Sequence, residues 1–322
     1  MKHTILGKSG LEVSRIAFGT WQLGGDWGAT DTAAAIEAIR RAADKGVTFF
    51  DTAQAYGFGQ SEQLLAAALR QLPRAEVVLA TKGGLRPAGI GVARDASPKW
   101  ITKGVDASLK ALGTDYIDLF QMHWPDPATP LEETADALAK LIADGKIRHV
   151  GVSNFDVEQI ERFSATLPVE TLQPPYHLFR RNIEPDLLPY TAANDIGVLV
   201  YGPLAHGLLG GQLSPDTTFV PGDWRAKSPM FCGETFARNL QVVAQLEKLA
   251  TQEVGITLAQ LATAWTLANP AVHVAIIGTR NAEHVDEALA AAEIDLDEEV
   301  MHRINLIMAD ATPVAGPSPE MM

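Results

Sequence analysis

Short apolar runs recur along this chain with amphipathic stretches between them, and the alternation is regular from about residue 16 onward. Runs at about 16–19, 47–51, 77–81, 116–122, 147–152, 170–173, 197–201 and 273–277 predict eight buried strands. Between them the apolar spacing widens to a helical period, at Asp31 to Lys45, Ser61 to Leu72, Pro98 to Leu112, Leu131 to Asp144, Asp156 to Ser164, Pro185 to Asn194 and Asn281 to Ala291. Gly46, Gly113, Gly145 and Gly197 mark the return from helix to strand, where a left-handed residue ends a helix cheaply. Thr4-Ile5-Leu6 and Leu11-Glu12-Val13, turning at Ser9-Gly10, predict an N-terminal hairpin.

Strand and helix in strict alternation give a parallel sheet. Eight such units without a break in composition favour closure into a (β/α)8 TIM barrel, a single domain over residues 1–322. The main irregularity is a long Gly/Pro-rich loop after strand seven, Pro203 to Phe231, followed by two extra helices at about Thr235 to Val254 and Thr257 to Leu267. Loops of that length are lids over a site or disordered segments. The Pro-rich C-terminal tail, about 311–322, predicts a non-helical stretch lying across the surface.

Composition narrows the function. Hydrophobic residues at 47% and charged residues at 20% suit a chain with a large core. A formal net charge of -13 argues against nucleic acid or an anionic membrane as partner, because both reward clustered Lys and Arg; a local anion pocket stays open. Cys232 is the only cysteine, the first residues lack a signal peptide's apolar run, and no stretch is long enough to span a bilayer. These features predict a cytoplasmic protein. Without a His-Glu-x-x-His or paired-Cys spacing, no metal site is expected.

Barrel active sites lie at the C-terminal ends of the strands. Strand two ends in Phe49-Phe50-Asp51, with Tyr56 five residues on; strand three ends at Lys82 and strand four at His123. Singly, each has a plain structural explanation, as a cap, a solvated amine or a core histidine. Together they suit proton transfer. A free phenol has a pKa of about 10, too high to release its proton readily to an alkoxide. A nearby ammonium favours the phenolate, and an Asp can hold that ammonium in place. Tyr56 can then act as a general acid while His123 donates to the same oxygen.

Phe50-Asp51-Thr52-Ala53 with Tyr56, Ala80-Thr81-Lys82, His123-Trp124, Gly151-Val152-Ser153-Asn154-Phe155, Gln173, Tyr201-Gly202-Pro203-Leu204 and Gly278-Thr279-Arg280 resemble the aldo-keto reductases in order and spacing. The resemblance covers nearly the whole chain. It is strongest to the bacterial general-stress and inositol-catabolism reductases and the potassium-channel β-subunit branch, through Gly207-Leu208-Leu209 and Pro221 to Arg225. It implies a barrel that binds NADPH/NADP+ without a Rossmann domain and reduces small aldehydes or ketones. Gly57-Phe58-Gly59 agrees by omission, since Glu62 stands where a dinucleotide fingerprint needs its third glycine.

Carried over residue by residue, the resemblance implies Tyr56 as acid/base, Lys82 and Asp51 as its tuners and His123 as orienting donor. Ser153, Asn154 and Gln173 are implied to hold the nicotinamide carboxamide and Tyr201 to stack on the ring. Gly19, Thr20, Trp21, Gly202, Leu204, Gly207, Gly278 and Thr279 are expected to border the cofactor. Arg280 at a helix N-terminus is expected to grip a 2′-phosphate, unless it merely pairs with Glu283. Trp21, Phe58 and Trp124 are expected to wall the substrate pocket beside Tyr56, with His206 simply a loop residue.

Some positions depart from the family pattern. Gln212 stands where many relatives carry Lys, so Arg225 is the candidate replacement near the pyrophosphate. At the adenosine end, family Gln and Asn positions read His284 and Ala288, leaving Glu287 intact. Two other functions use the same residues differently: an NADPH-binding regulatory module resembling channel β-subunits, and a cofactor-free lyase with Lys82 as a Schiff base. Multiple turnover with simple aldehydes argues against the first, and a borohydride-trapped adduct on Lys82 without nucleotide would support the second.

Overall fold

The structure, a computed structural model, describes residues 1–25, 27–28, 30–89, 91–220 and 223–314. An antiparallel hairpin of β1 (His3–Ile5) and β2 (Glu12–Ser14) opens the chain. Then come β3 (Ile16–Gly19), β4 (Phe49–Asp51), β5 (Val78–Gly83), a second hairpin of β6 (Leu85–Ala88) and β7 (Gly91–Arg94), β8 (Ile117–Met122), β9 (Ile147–Ser153), β10 (Thr171–Gln173), β11 (Gly197–Tyr201) and β12 (Val274–Ile277). Strands β3, β4, β5, β8, β9, β10, β11 and β12 pair in that order, each pair parallel, and β12 returns to β3 to close the barrel. All eight predicted barrel strands are present, so the fold is the expected (β/α)8 barrel.

Side chains alternate across a strand, so every second residue of a barrel strand points inward. Ala17, Phe49, Ala80, Leu119, Leu199, Val274 and Ile276 form the inner core, and Leu6 and Val13 from the first hairpin join it as a floor. The intervening residues, among them Phe18, Phe50, Leu79, Phe120, Val150 and Val200, belong to the larger core shared with the helices. Two residues above Phe49, Ala80 and Leu119 stand Asp51, Lys82 and Gln121. The same alternation that fills the barrel with apolar side chains therefore stacks a polar layer on top of them.

The helices are α1 (Thr32–Asp44), α2 (Gln60–Leu69), α3 (Pro98–Leu112), α4 (Leu131–Ala143), α5 (Val157–Ser164), α6 (Leu187–Ala193), α7 (Gly233–Lys248), α8 (Leu258–Ala268), α9 (Glu283–Ala290) and α10 (Glu298–Met308). Side-chain caps start several of them: Asp31, Ser97 and Asp297 accept from first-turn amides, and Asp156 with Gln159 and Thr257 with Gln260 form capping boxes. Each such cap is worth about 1 kcal/mol. Gly46, Gly113 and Gly145 have φ of 90, 64 and 73°, as a helix terminator requires. Gly197 differs from expectation. The left-handed residue there is Asp195, φ 51°, and Gly197 is a strand residue whose Cβ would lie 2.7 Å from Leu6 Cγ. It is glycine because the floor packs against it.

Two elements go beyond the expected pattern, the β6–β7 hairpin after β5 and the helix α10. The helix predicted to Val254 is regular only to Lys248 and closes in a π-helical turn, Leu249–Val254, where Ala250 O accepts from both Gly255 and Ile256. Of the predicted tail, Thr312 exchanges hydrogen bonds with Asn239, and Val314 N donates to Phe179 O at 2.7 Å. Residues 315–322 of that tail, and 221–222 of the Pro221 to Arg225 loop, lie outside the described residues. Among the described residues no helix is long and apolar enough to cross a membrane, and no group of His, Cys, Asp and Glu could hold a metal ion.

Candidate active site

Lys82, 1% exposed, is the centre of the polar layer. Taking an ammonium out of water costs several kcal/mol unless its donors are all used. They are: Nζ donates to Asp51 Oδ1 at 2.6 Å, to Thr52 O at 3.0 Å and to Tyr56 Oη at 3.2 Å. Asp51 Oδ2 in turn accepts from Gln173 Nε2 at 2.9 Å and from Gln121 Nε2 at 3.3 Å. Side chains from β5, β8 and β10 thus converge on a carboxylate carried by β4.

Tyr56, 4% exposed, reaches this layer from the loop after β4. Its backbone packs so closely on Gly24 that a Cβ there would lie 2.7 Å from the Tyr56 carbonyl carbon. That contact fixes the phenol's approach. The ring meets His123 edge to face, with centroids 5.7 Å apart at 82°, and lies 6.4 Å from Trp21. His123 is anchored through its own N–H to Gly83 O at 2.9 Å. The four predicted chemical residues therefore meet.

The predicted nicotinamide residues adjoin them. Ser153 Oγ donates to Gln173 O at 2.8 Å, Asn154 Nδ2 to His123 O at 3.1 Å, and Tyr201 Oη to Asn154 Oδ1 at 2.8 Å. Asn154 holds this place with φ 62°, a left-handed conformation that Asn tolerates better than most residues. Thr20 lies beneath, its Oγ1 donating to Asp51 O at 3.2 Å. Gly19 and Gly278 have packing reasons of their own: a Cβ at Gly19 would lie 2.7 Å from Ile276 Cγ2, and one at Gly278 would collide with Gln22 Oε1.

An aromatic cluster covers the mouth. The Trp21 and Trp224 rings stack 6.2 Å apart at 19°, and Trp27 meets both edge to face. His206 was expected to be a plain loop residue; instead its ring stands 6.0 Å from Trp21 and 5.1 Å from Trp224. The loop segment Ala205 and His206, with φ of 49 and 56°, carries it there between Gly202 and Gly207. Leu204 at the start of that turn packs against the helix-side core.

Arg225, the candidate for the pyrophosphate, forms a double hydrogen bond with Asp223, Nη2 to Oδ2 at 2.7 Å and Nε to Oδ1 at 3.1 Å. Its guanidinium lies 4.7 Å from the Trp27 ring and 4.6 Å from that of Phe219, and Nη1 donates to His206 O. Burial alone would raise the Asp223 carboxyl, but its bonds to Arg225 hold it below the ordinary aspartate value. Gln212 is exposed.

Arg280, exposed, donates Nη1 to Trp27 O at 3.2 Å and precedes α9, which carries exposed His284 and half-buried Glu287. Thr279 Oγ1 accepts from Asn281 N, shaping that turn. Trp124 is buried beneath the Arg94 guanidinium, 5.0 Å from its ring, whereas Phe58 is 44% exposed at the tip of the Tyr56 loop. Sequence reasoning missed Gln121 and Trp27. Gln121 carried a signal: it shares the inward parity of Leu119 and His123, where an apolar side chain would otherwise continue the inner core.

A barrel with a phenol, an ammonium and a carboxylate in contact at its mouth is an oxidoreductase scaffold. Residues 15–309 match the Aldo/keto reductase family, and the chain belongs to that family. It is 42% identical over 325 residues to Aldo-keto reductase YhdN of Bacillus subtilis (strain 168), spanning 100% of this chain and 98% of that protein. It is 34% identical over 314 residues to the NADH-specific methylglyoxal reductase of Escherichia coli (strain K12), spanning 92% of this chain and 95% of that one. Among solved structures it is similar to the glycerol dehydrogenase of Gluconobacter oxydans, with a TM-score of 0.87 and 38% identity over 96% of this chain and 95% of that chain.

Proposed function

We propose that this protein reduces aldehydes or ketones to alcohols with NADPH, Tyr56 acting as the general acid. The observation that carries this reading is the 3.2 Å contact of Lys82 Nζ with Tyr56 Oη inside a fully buried network. A nicotinamide nucleotide, when bound, would supply hydride to the carbonyl carbon. Tyr56 gives its proton to the carbonyl oxygen, and the Lys82 ammonium stabilises the negative charge left on the phenol. Asp51 keeps that ammonium in place, and His123 orients the oxygen by donating to it. Alcohol oxidation uses the same groups in reverse.

The donor set fits the cofactor. Ser153, Asn154 and Gln173 offer the mix of donors and acceptors a primary carboxamide needs, and Tyr201 supplies a flat face beside them. Gly19, Thr20, Trp21, Gly202, Leu204 and Gly207 border the same opening. Arg280 beside α9 is the group for a 2′-phosphate, with His284 and Glu287 near the adenosine; it supports NADPH over NADH. Trp21, Trp124 and Phe58 form the substrate walls, and residues 1–322 act as one domain.

The test is a spectrophotometric screen of a carbonyl panel with both nucleotides. Turnover with simple aldehydes, abolished in Tyr56→Phe while nucleotide binding is retained, is the expected result. Undiminished reduction by Tyr56→Phe removes the assignment.

A further inference from the structure

Three buried hydroxyls run behind the polar layer, between the ends of β3 and β4 and the start of α2: Thr20, Thr52 and Ser61, each fully enclosed. Ser61, the second residue of α2, places its Oγ 2.7 Å from Thr20 Oγ1, 3.0 Å from Thr20 O and 3.2 Å from Thr52 Oγ1. Thr20 Oγ1 lies 3.2 Å from Asp51 O, which can only accept. One proton per hydroxyl then fixes the direction of the chain: Thr20 donates to Asp51 O, Ser61 to Thr20, and Thr52 to Ser61. Both ends are tied to the charged network. Thr52 O accepts from Lys82 Nζ at 3.0 Å, and Asp51 carries the carboxylate that holds the same ammonium at 2.6 Å. Ser61 N also donates to Tyr56 O at 3.2 Å, so one residue grips the phenol's backbone and the hydroxyl chain together. Thr20 O accepts from Leu23 N at 3.0 Å, in the turn that ends at Gly24 against the Tyr56 backbone.

We propose that Ser61 is a positioning residue for the reaction, setting the Lys82–Tyr56 contact from behind through the Thr52–Ser61–Thr20 chain while meeting neither substrate nor nucleotide. The inference rests on the reading of Tyr56 given above and deepens it. The Ser61 hydroxyl is spent on the strand ends that carry the chemistry rather than on capping α2, whose N-cap is Gly59. Without it, Thr52 Oγ1 loses its acceptor and Thr20 Oγ1 its donor in an enclosed site, and the peptides that carry them shift to recover partners. The Thr52 peptide is the one that holds Lys82 Nζ. A misplacement of about 1 Å at a reacting group costs about 100-fold in rate, so a fraction of that shift is visible in kcat.

The experiment compares wild type with Ser61→Ala in two assays. In steady-state kinetics kcat should fall about 10-fold while KM for the carbonyl compound and for the nucleotide each stay within about 3-fold, because Ser61 meets neither. The second assay needs no turnover: ring-labelled tyrosine is followed by NMR against pH, and with five tyrosines in the chain the Tyr56 signal is the one missing from Tyr56→Phe. Lys82 and His123 face the phenol, with Asp51 behind the ammonium, and all three are kept in the variant. Tyr56 should therefore titrate about half a pH unit higher in Ser61→Ala as the ammonium draws away. A lower melting temperature with kcat and the Tyr56 titration both unchanged overturns the proposal, since the chain then holds the fold and not the phenol. If wild type reduces no carbonyl compound, the assigned reaction fails, and the Tyr56 titration alone decides the positioning. Should Ser61→Ala not fold, Thr52→Val, of the same shape, takes its place beside Thr52→Ser, which keeps the hydroxyl. Thr52→Val should move the Tyr56 titration upward and Thr52→Ser should not; equal titrations in the two overturn the proposal.

Discussion

Gln173 Nε2 donates to Asp51 Oδ2 at 2.9 Å, joining β10 to β4 across the barrel interior. The same oxygen accepts from Gln121, whose Oε1 accepts a second hydrogen from Gln173. An amide expected only to meet the nicotinamide therefore also fixes the carboxylate that holds Lys82. Gln121 has no nicotinamide role in this reading, so the two amides separate by mutation. Gln121→Leu should lower kcat about 3- to 10-fold with the nucleotide KM unchanged, the signature of lost positioning. Gln173→Leu should change both, and steady-state kinetics in both nucleotides will tell them apart.

Breaking the Lys82–Asp51 pair should cost more stability than removing it. A single Lys82→Met leaves a buried carboxylate without its counter-ion, at a cost of about 3–5 kcal/mol. Lys82→Met with Asp51→Leu removes both charges and should unfold at a higher temperature than the Lys82→Met single variant, though it will not turn over. Thermal unfolding of the set checks this; a double variant less stable than Lys82→Met contradicts it.

Arg280→Ala should raise the NADPH KM about 10-fold or more and leave the NADH KM within about 3-fold, since only NADPH carries the phosphate. Equal effects on the two nucleotides would remove the role.

Asp126 supplies a pH test of the His123 segment. Burial acts to raise its carboxyl, but bonds from Ala96 N, Thr129 Oγ1 and Ala128 N, together with the charge of Arg94, outweigh that and hold it below the ordinary aspartate value. A depressed carboxyl stabilises the fold above its unfolded value and ceases to as pH falls through the folded one. Asp126→Asn should therefore destabilise by about 1–3 kcal/mol at pH 7. The gap from wild type should narrow below about pH 4. Denaturant titrations at pH 7 and at acid pH check the sign.

The Asp223–Arg225 pair holds the long loop against Trp27 and Phe219. Asp223→Asn weakens the pair without adding bulk, so nucleotide exchange measured by stopped flow should quicken about 10-fold, with affinity less affected because both rates rise. Unchanged exchange would mean that the loop does not gate the site.

The barrel was legible because its signals are local. Continuous apolar runs such as the one ending Phe49-Phe50 and capped helices such as Asp156 to Ser164 carry their structure in neighbouring residues. Asp51, Tyr56, Lys82 and His123 were legible because they end predicted strands or sit one turn beyond. What escaped is non-local or short. The β6–β7 hairpin spans four-residue strands with Pro87 inside one of them, and α10, though Val300, Ile304 and Ile307 keep a helical period after the Asp297 cap, lies beyond the eight strand–helix units that the alternation counts. His206 read as loop because nothing in the sequence places it against Trp21, and Arg225 read as a candidate pyrophosphate cation because its stacking on Trp27 is a tertiary fact.

Leu6 and Val13 close the barrel from below, beneath Phe49, Ala80 and Leu119, and the polar layer of Asp51, Lys82 and Gln121 stands on those three side chains in turn. The first thirteen residues are therefore the footing of the charged network: a substitution there can disturb it only through the apolar column stacked in between.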